Sequence, residues 1–384
     1  MTPHPADSSK LRCFAEIDGA ALRHNAAVAG RLAGGGPECV MAVVKANGYG
    51  HGTALVVAAL KEEIGAFAVA CLSEALEVKS HAVRARDGGC APILILSPAL
   101  PAEMAEIVRH GFIPAISTVE EVEQFAAAAG ETTCAVHLVV DTGMGRMGAL
   151  PDQAAAVLRA VKSSRTLTLD SVASHFPSSD EDEDFTRDQE RRFREMTARW
   201  KEEFGPFRTH IANSAAVLHY PRQKGEMVRS GLMLYGVSPL PDYQSLLRPV
   251  MTWKSRVSLV RQLPTGHSIS YGRTFTTPRP MAVASLSAGY GDGYPRQVSG
   301  KGGSVLLGGK RCAILGRVTM DQILVDVTGL IPAPTAGDEA VLLGSQADEF
   351  IAVGEIARLA ATIPWHVFTG ITCRTARLAM VSPD

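Results

Sequence analysis

The sequence of 384 residues has no basic excess, because 38 lysines and arginines stand against 39 aspartates and glutamates. Nucleic acids and anionic membranes are bound largely through basic side chains, so neither is predicted as a partner. No apolar run approaches the roughly 20 residues of a membrane-spanning helix, and the polar segment 1–10 lacks the apolar core of a secretory signal. We therefore expect a cytoplasmic protein.

Paired cysteine motifs are also missing. None of the seven cysteines forms a Cys-x-x-Cys pair, and their number is odd. Such spacing indicates neither a disulfide framework nor a zinc site, and a reducing compartment is the simpler expectation. We predict no bound metal.

Between residues 39 and 229, short β-branched runs alternate with runs rich in Ala, Glu and Leu. The predicted strands are 39–45, 66–70, 92–96, 113–116, 134–140, 168–174, 207–211 and 226–229. Continuously apolar strands that alternate with helices indicate a parallel sheet covered by helices. Eight such β/α units favour a closed barrel, whose usual length is about 250 residues. An open, doubly wound sheet is the alternative.

The pattern changes after residue 243 to strand-like runs separated by Gly and Pro turns. The predicted strands there are 253–262, 281–286, 304–307 and 323–327, with one helix over 353–361. This pattern is typical of a β-rich domain. We predict an N-terminal strand segment 1–17 that pairs with this domain, a β/α barrel over 18–243 and a β-rich domain over 244–384. The acidic run 178–184 is predicted as a solvated loop.

Polar side chains follow several predicted barrel strands, where barrel enzymes place their sites. They are Lys45, Arg146, His175, Ser214 and Arg229. A lysine that ends an apolar strand either reaches solvent or has a lowered pKa, as Schiff-base chemistry requires.

Hydrogen-bonding groups that follow the last two predicted barrel strands could bind a phosphate. Ser214 and the amides of Gly231 and Leu232 favour a phosphate site, and an ordinary helix cap at Asn213 or Ser214 is the alternative.

The segment 143–148 matches G-x-G-x-x-G, and Asp170 follows at the distance of a ribose-binding acid. A dinucleotide site is therefore an alternative. Two features count against it. The motif lies in the fifth β/α unit and not the first, and the side chain of Arg146 would crowd a pyrophosphate.

Short motifs lie in segments 42–52, 141–148, 174–176, 211–214, 228–231, 235–236, 270–272, 288–296 and 320–322. Together, and in this order along the chain, they closely resemble the motifs of the alanine racemases, which depend on pyridoxal phosphate.

The resemblance implies a β/α barrel with a C-terminal β domain, and a head-to-tail homodimer with shared active sites. Lys45 would bind the cofactor and act as the base on one face of the substrate, and Tyr271 from the partner subunit would serve the other face. His175 and Arg229 would support Tyr271. The reaction implied is racemisation of L-alanine to D-alanine, a peptidoglycan precursor. Cell-wall supply and D-amino-acid catabolism both stay open.

The resemblance also assigns binding roles. The cofactor residues would be Lys45, Tyr49, Arg146, His175, Asn213, Ser214, Arg229, Gly231 and Leu232. The substrate residues would be Arg146, Tyr271, Tyr290, Met320 and Asp321. Arg229 would face the pyridine nitrogen and keep it unprotonated, because arginine only donates hydrogen bonds.

Two positions depart from the family pattern. Val139 stands where many members have a lysine, often carbamylated, so a carbamate is excluded. The sequence leaves open whether chloride replaces it beside Arg146. Cys373 stands where a tyrosine usually contacts the phosphate and narrows the substrate site. A smaller side chain there predicts weaker phosphate binding and room for serine, so a serine or broad-specificity racemase is the alternative function.

Two further functions compete with racemisation. A decarboxylase of basic amino acids shares the two-domain plan, but sets an acidic residue against the pyridine nitrogen where this chain has Arg229. A non-catalytic protein that holds pyridoxal phosphate or senses amino acids would lack the second acid–base group. The presence of Tyr271 favours turnover.

Overall fold

The computed structural model describes residues 8–84, 88–220 and 226–380, which fall into two compact units. The strand-rich unit takes in the described residues up to Gly19, the segment Tyr49–Leu55 and those from Pro249 onward. The barrel unit takes in Ala20–Gly48 and the described residues of Val56–Arg248. Residues 1–7 and 381–384, the outer ends of the predicted domains, lie outside the described residues.

The barrel unit is built on an eight-stranded sheet in which each neighbouring pair of strands is parallel. Numbered along the chain, its strands are β2 (Val40–Val43), β3 (Ala66–Val69), β4 (Ile93–Pro98), β5 (Ile113–Ile116), β6 (Cys134–Val139), β7 (Leu167–Ala173), β8 (Arg208–His210) and β9 (Val228–Ser230). The order is β8-β7-β6-β5-β4-β3-β2-β9. Backbone bonds from Met227 to Thr209 (3.2 Å) and from Arg229 to Ala212 (3.0 Å) join the two ends. The predicted barrel is confirmed.

Helices alternate with these strands along the chain. They are Gly19–Leu32, Thr53–Leu60, Leu72–His81, Met104–His110, Val119–Ala129, Pro151–Ser163, Glu183–Phe204 and Ser214–His219. The prediction that 178–184 is a solvated loop is wrong at its C-terminal end. Asp182 caps the helix Glu183–Phe204 by accepting the amide of Phe185 at 3.0 Å. Carboxylates at a helix N-terminus accept its unpaired amides and favour its dipole.

Most barrel strands end one or two residues away from the predicted position, and two of these differences affect the candidate site. The first was predicted to run to Lys45 but ends at Val43, because the backbone from Ala46 turns left-handed. The last was predicted to end at Arg229, but Arg229 is the central residue of β9. Its guanidinium is therefore directed by the strand and not by a loop.

The strand-rich unit contains a nine-stranded sheet and a two-stranded one. Their strands are β1 (Cys13–Ile17), β10 (Met251–Leu263), β11 (Ser268–Ile269), β12 (Phe275–Thr276), β13 (Met281–Leu286), β14 (Ser304–Leu307), β15 (Lys310–Ala313), β16 (Ile323–Asp326), β17 (Glu339–Gln346), β18 (Glu349–Ile351) and β19 (Ala376–Ala379). β1 pairs antiparallel with β10 and parallel with β19. The β-rich character predicted for this part of the chain is confirmed.

The helical content of the strand-rich unit was underestimated. The sequence predicts one helix, but the structure has two in this part of the chain, Val353–Ala360 and Pro364–Thr369. The second is short, and proline at its first position suits a helix start because that amide needs no partner. None of the helices in the described ranges combines the length and apolar character of a membrane span.

The segment Tyr49–Leu55 groups with the strand-rich unit, although it lies within the range predicted for the barrel domain. Its backbone is held there at Gly50, whose carbonyl accepts a hydrogen bond from Arg377 at 2.9 Å. A side chain at position 50 would collide with the carbonyl of Phe368.

Candidate active site

Lys45 follows β2 at the carboxyl end of the barrel and begins a left-handed turn. Ala46, Asn47 and Gly48 have φ of 53°, 56° and 59°, a region that L-residues seldom occupy in succession. Burial lowers the pKa of Lys45, the nearby Arg146 and Arg229 lower it further, and Glu74 acts in the opposite direction. The amine is thus shifted toward its neutral, nucleophilic form.

Arg229 lies on β9 with 6% of its surface exposed. Its guanidinium donates to the carbonyls of His210 (2.8 Å), Ser174 (2.5 Å) and Ile211 (3.1 Å). It also donates to Nδ1 of His210 (2.5 Å) and Nδ1 of His175 (3.0 Å). None of its acceptors within the described part of the chain is a carboxylate. Burial, followed by the charge of Arg146, lowers its pKa to about 10, so it stays protonated at neutral pH.

Two histidines beside Arg229 are neutral. Burial and the guanidinium lower the pKa of His175 to about 3 and that of His210 well below its usual value. Arginine only donates, so Nδ1 of each ring accepts and Nε2 carries the proton. Nε2 of His210 donates to the hydroxyl of Ser171 at 3.1 Å. The Nε2 proton of His175 is then the one available for chemistry.

The backbone around His175 is fixed by a glutamine from the helix Glu183–Phe204. Gln189 donates to the carbonyl of His175 (2.9 Å) and to the hydroxyl of Thr142 (2.7 Å). Thr142 in turn contacts the Ser174 hydroxyl at 2.6 Å. The residues that follow β6 and β7 are thus tied together through one buried side chain.

At the end of β8, Asn213 serves as a helix cap. Its side-chain oxygen accepts the Ala216 amide at 3.0 Å and the Ser179 hydroxyl at 2.8 Å. The hydroxyl of Ser214 accepts the Gly231 amide at 3.1 Å. A short 3₁₀ helix then begins at Leu232. Amides and a hydroxyl therefore meet where the sequence predicts a phosphate site.

The glycine-rich loop that contains Arg146 is organised by an acid. The carboxylate of Asp141 accepts the amides of Gly143, Met144 and Gly145, each at about 3 Å. These amides are therefore not free to bind a pyrophosphate, and Asp170 is engaged in an ion pair with Arg208. The geometry is unlike that of a dinucleotide-binding loop.

The other predicted substrate residues belong to the strand-rich unit. Tyr271 lies in a short turn and is 70% exposed. The amides of Tyr290 and Gly291 donate to the carbonyls of Thr319 (3.0 Å) and Met320 (2.9 Å), which holds these two loops side by side.

The loop that carries Cys373 is held by its neighbour. Arg374 donates to the carboxylate of Asp321 at 2.8 Å and pairs with Asp292 at 3.4 Å. Cys373 itself is exposed. Asp321 is thus oriented by a residue adjacent to the position that departs from the family pattern.

Comparison with known families shows which family the chain matches. The model of the alanine racemase N-terminal domain matches residues 17–239, and that of the alanine racemase C-terminal domain matches residues 250–379. This chain belongs to the alanine racemase family. The resemblance drawn from the motifs is confirmed, and the chain is an isomerase of that family.

Individual relatives support the assignment. An alanine racemase of Desulforamulus reducens is 39% identical, covering 95% of this chain and 98% of the relative. One of Methylacidiphilum infernorum is 37% identical over 94% of this chain and 90% of the relative. The crystal structure of the alanine racemase from Streptomyces lavendulae superposes with a TM-score of 0.86 at 34% identity, covering 97% of this chain and 98% of that one. An alanine racemase from Bacillus anthracis with bound L-Ala-P gives 0.82 at 31% identity, covering 95% and 94%.

Some residues that shape this racemase-family site were not predicted from the sequence. They are His210, Gln189 and Glu74. His210 contacts Arg229, Gln189 fixes the backbone of His175, and Glu74 binds the turn after Lys45. His210 had one detectable signal, a polar residue within a short strand. Nothing in the spacing of Gln189 or Glu74 distinguishes them from surface residues of helices.

Proposed function

We propose that this protein interconverts L-alanine and D-alanine, with pyridoxal phosphate bound covalently to Lys45. The observation that carries the proposal is the cationic cluster of the barrel unit. Arg229 contacts His175 and lowers the pKa of Lys45, and its acceptors are carbonyls and imidazoles. An arginine at the position of Arg229 suits a racemase and not a decarboxylase.

The residues around Lys45 fit pyridoxal phosphate, since Schiff-base formation needs a neutral lysine and the pKa of Lys45 is lowered. When bound, the cofactor supplies an electron sink for the negative charge that develops on the substrate Cα. We assign it to Lys45, Tyr49, Arg146, His175, Asn213, Ser214, Arg229, Gly231 and Leu232. The hydroxyl of Ser214, which the Gly231 amide holds in place, and the amide of Leu232 at the start of the 3₁₀ helix would bind the phosphate.

Racemisation needs an acid–base group on each face of the Cα atom. We assign Lys45 to one face and Tyr271 of the partner subunit to the other, in a homodimer with shared sites. Tyrosine normally titrates near pH 10, so it needs a cationic neighbourhood. The Nε2 proton of His175, fixed there because Nδ1 accepts from Arg229, is the donor available to the phenolic oxygen.

Arg229 also separates this reaction from decarboxylation. A guanidinium donates and retains its proton, so a pyridine nitrogen that faces it must accept and stays unprotonated. Arg229 would thereby leave the bound cofactor a weaker electron sink, which would favour return of a proton to Cα over loss of carbon dioxide. Arg146 and the Met320 amide would hold the substrate carboxylate, and Tyr290 and Asp321 would line the entrance.

Racemisation of a panel of L-amino acids by the purified holoenzyme tests the proposal. Alanine turnover well above that of serine would support it. Comparable or faster serine turnover would keep the mechanism and change the substrate. Carbon dioxide release from a basic amino acid would identify a decarboxylase, and bound cofactor without turnover would favour a binding protein.

Cys373 gives a prediction about specificity. The relatives are named alanine racemases, which favours alanine, but the thiol leaves more room than a tyrosine and is a poor hydrogen-bond partner. We expect Cys373→Tyr to lower the ratio of serine to alanine turnover by roughly tenfold, the range in which small pocket changes discriminate substrates. Turnover of both amino acids, measured by chiral chromatography, checks this. The size-matched Cys373→Ser variant should keep the wild-type ratio, and an unchanged ratio in Cys373→Tyr would contradict the prediction.

A further inference from the structure

The turn after Lys45 is held by a carboxylate from another element. Glu74, in the first turn of the helix Leu72–His81, accepts the amide of Ala46 on one oxygen and the amide of Ala70 on the other, each at 2.8 Å. Ala46 follows Lys45, and Ala70 follows β3. One side chain therefore joins the carboxyl ends of two neighbouring strands.

The position of Glu74 continues the ladder of the sheet. β2 and β3 pair in parallel up to Val43 and Ala68, and the Val44 amide still donates to the Ala68 carbonyl at 2.9 Å. Two residues further on, the amides of Ala46 and Ala70 both point to the same carboxylate. The carboxylate thus replaces the backbone pairing at the point where the chain leaves the strand for the Lys45 turn.

The turn is costly without such support. Left-handed backbone costs an L-residue roughly 1–2 kcal/mol, and both Ala46 and Asn47 adopt it. A charge-assisted hydrogen bond to Ala46 is about twice as strong as a neutral one. An anion in the first turn of a helix is itself stabilised by the helix dipole. Asn47 and Gly48 tolerate this conformation, so Glu74 is placed to impose it where the turn least favours it, at Ala46.

Glu74 also opposes the two arginines electrostatically. Burial, Arg146 and Arg229 all disfavour the charged form of Lys45, while the carboxylate of Glu74 favours it. If its role were only electrostatic, its removal would make the lysine more reactive at neutral pH. If its role is positional, removal would make the lysine less effective although more often neutral. The two roles therefore predict opposite results.

We propose that Glu74 is a positioning residue, which fixes the backbone after Lys45 and so directs its amine toward the cofactor and the substrate. This inference rests on the proposed function for its kinetic consequence. Its structural consequence, the direction of the Lys45 side chain, does not require that the substrate be alanine.

The test compares Glu74→Ala and Glu74→Gln with Glu77→Gln, an exposed acid one turn along the same helix. We expect Glu74→Ala to lower kcat by about 10²-fold, the cost of a misplacement near 1 Å, with KM nearly unchanged. Glu74→Gln keeps one oxygen for one amide and should fall between Glu74→Ala and wild type. Glu77→Gln should match wild type.

A second readout is independent of turnover. Apoprotein is incubated with pyridoxal phosphate and reduced with borohydride, and the fraction of Lys45 that carries the cofactor is measured by peptide mass spectrometry. We expect slower loading of Lys45 in Glu74→Ala. Loading and kcat within about threefold of wild type, or faster loading, would overturn the proposal. A wild-type enzyme that loads cofactor but racemises nothing would overturn the proposed function, while the loading comparison would still decide the role of Glu74.

Discussion

Replacing Lys45 by alanine is expected to lower racemisation by about 10⁴-fold or more. Under the proposed function, the change would remove the covalent link to the cofactor together with one of the two acid–base groups, and proton transfer by such a group alone contributes about 10²–10⁴ in rate. The lowered pKa of Lys45 indicates that the amine is prepared for both tasks. Turnover in both directions, measured with pyridoxal phosphate in excess, checks the expectation.

A control substitution at another lysine shows whether the loss of activity is specific to Lys45. Lys301 is exposed in the strand-rich unit, and Lys301→Ala should racemise alanine at the wild-type rate. Far-UV circular dichroism should be the same for both variants, since Lys45 lies beyond the end of β2 and its side chain completes no strand pairing. Racemisation by Lys45→Ala within tenfold of wild type would exclude Lys45 as the cofactor lysine and with it the proposed mechanism.

The Tyr271→Phe variant should lose about 10²–10⁴ in racemisation rate, because one face of the Cα atom would lack its acid–base group. The substitution removes only the phenol hydroxyl. Because Tyr271 lies in an exposed turn, the fold does not depend on this group. In deuterated water, one enantiomer should still exchange its Cα proton, since under the proposed mechanism Lys45 would still serve its own face. Exchange without inversion is the specific sign of a two-base mechanism.

The control for this variant is Tyr243→Phe, a half-buried tyrosine of the barrel unit that keeps its ring contact with His219. It should leave both exchange and inversion unchanged. If Tyr271→Phe also racemised at the wild-type rate, the second acid–base group would have to be another residue. If exchange and inversion fell in equal proportion for both enantiomers, a single base would serve both faces.

Much of the barrel could be predicted because its strands are buried on both faces. Runs such as 113–116 are apolar without interruption, and their alternation with helices leaves few topologies. The errors arose at the strand ends. The left-handed turn after Lys45 and the central place of Arg229 in β9 depend on contacts with neighbouring strands. The short helix Pro364–Thr369 was missed because six residues carry too little periodicity.

The candidate site was predictable only where a side chain performs chemistry itself. The sequence placed Lys45, His175 and Arg229 at the ends of three predicted barrel strands, and the structure brings the latter two into contact. Glu74 and Gln189 act on backbone groups of other elements. Such contacts join residues of different elements, and the number of residues between the partners follows no rule. No sequence pattern therefore predicts them.

The uncharged histidines around Arg229 should make the protein sensitive to acid. Burial lowers the pKa of His137 to about 4 and that of His175 to about 3, and lowers that of His210 as well. In the unfolded chain each would titrate near 6.5, so unfolding takes up protons below that pH and stability falls as the pH drops from about 6.5 toward the folded values. The apoprotein should therefore melt at a lower temperature at pH 5 than at pH 7, and equal melting temperatures would contradict this. The guanidinium of Arg229, which tunes the proposed chemistry, would thus also help to set the lowest pH at which the barrel stays folded.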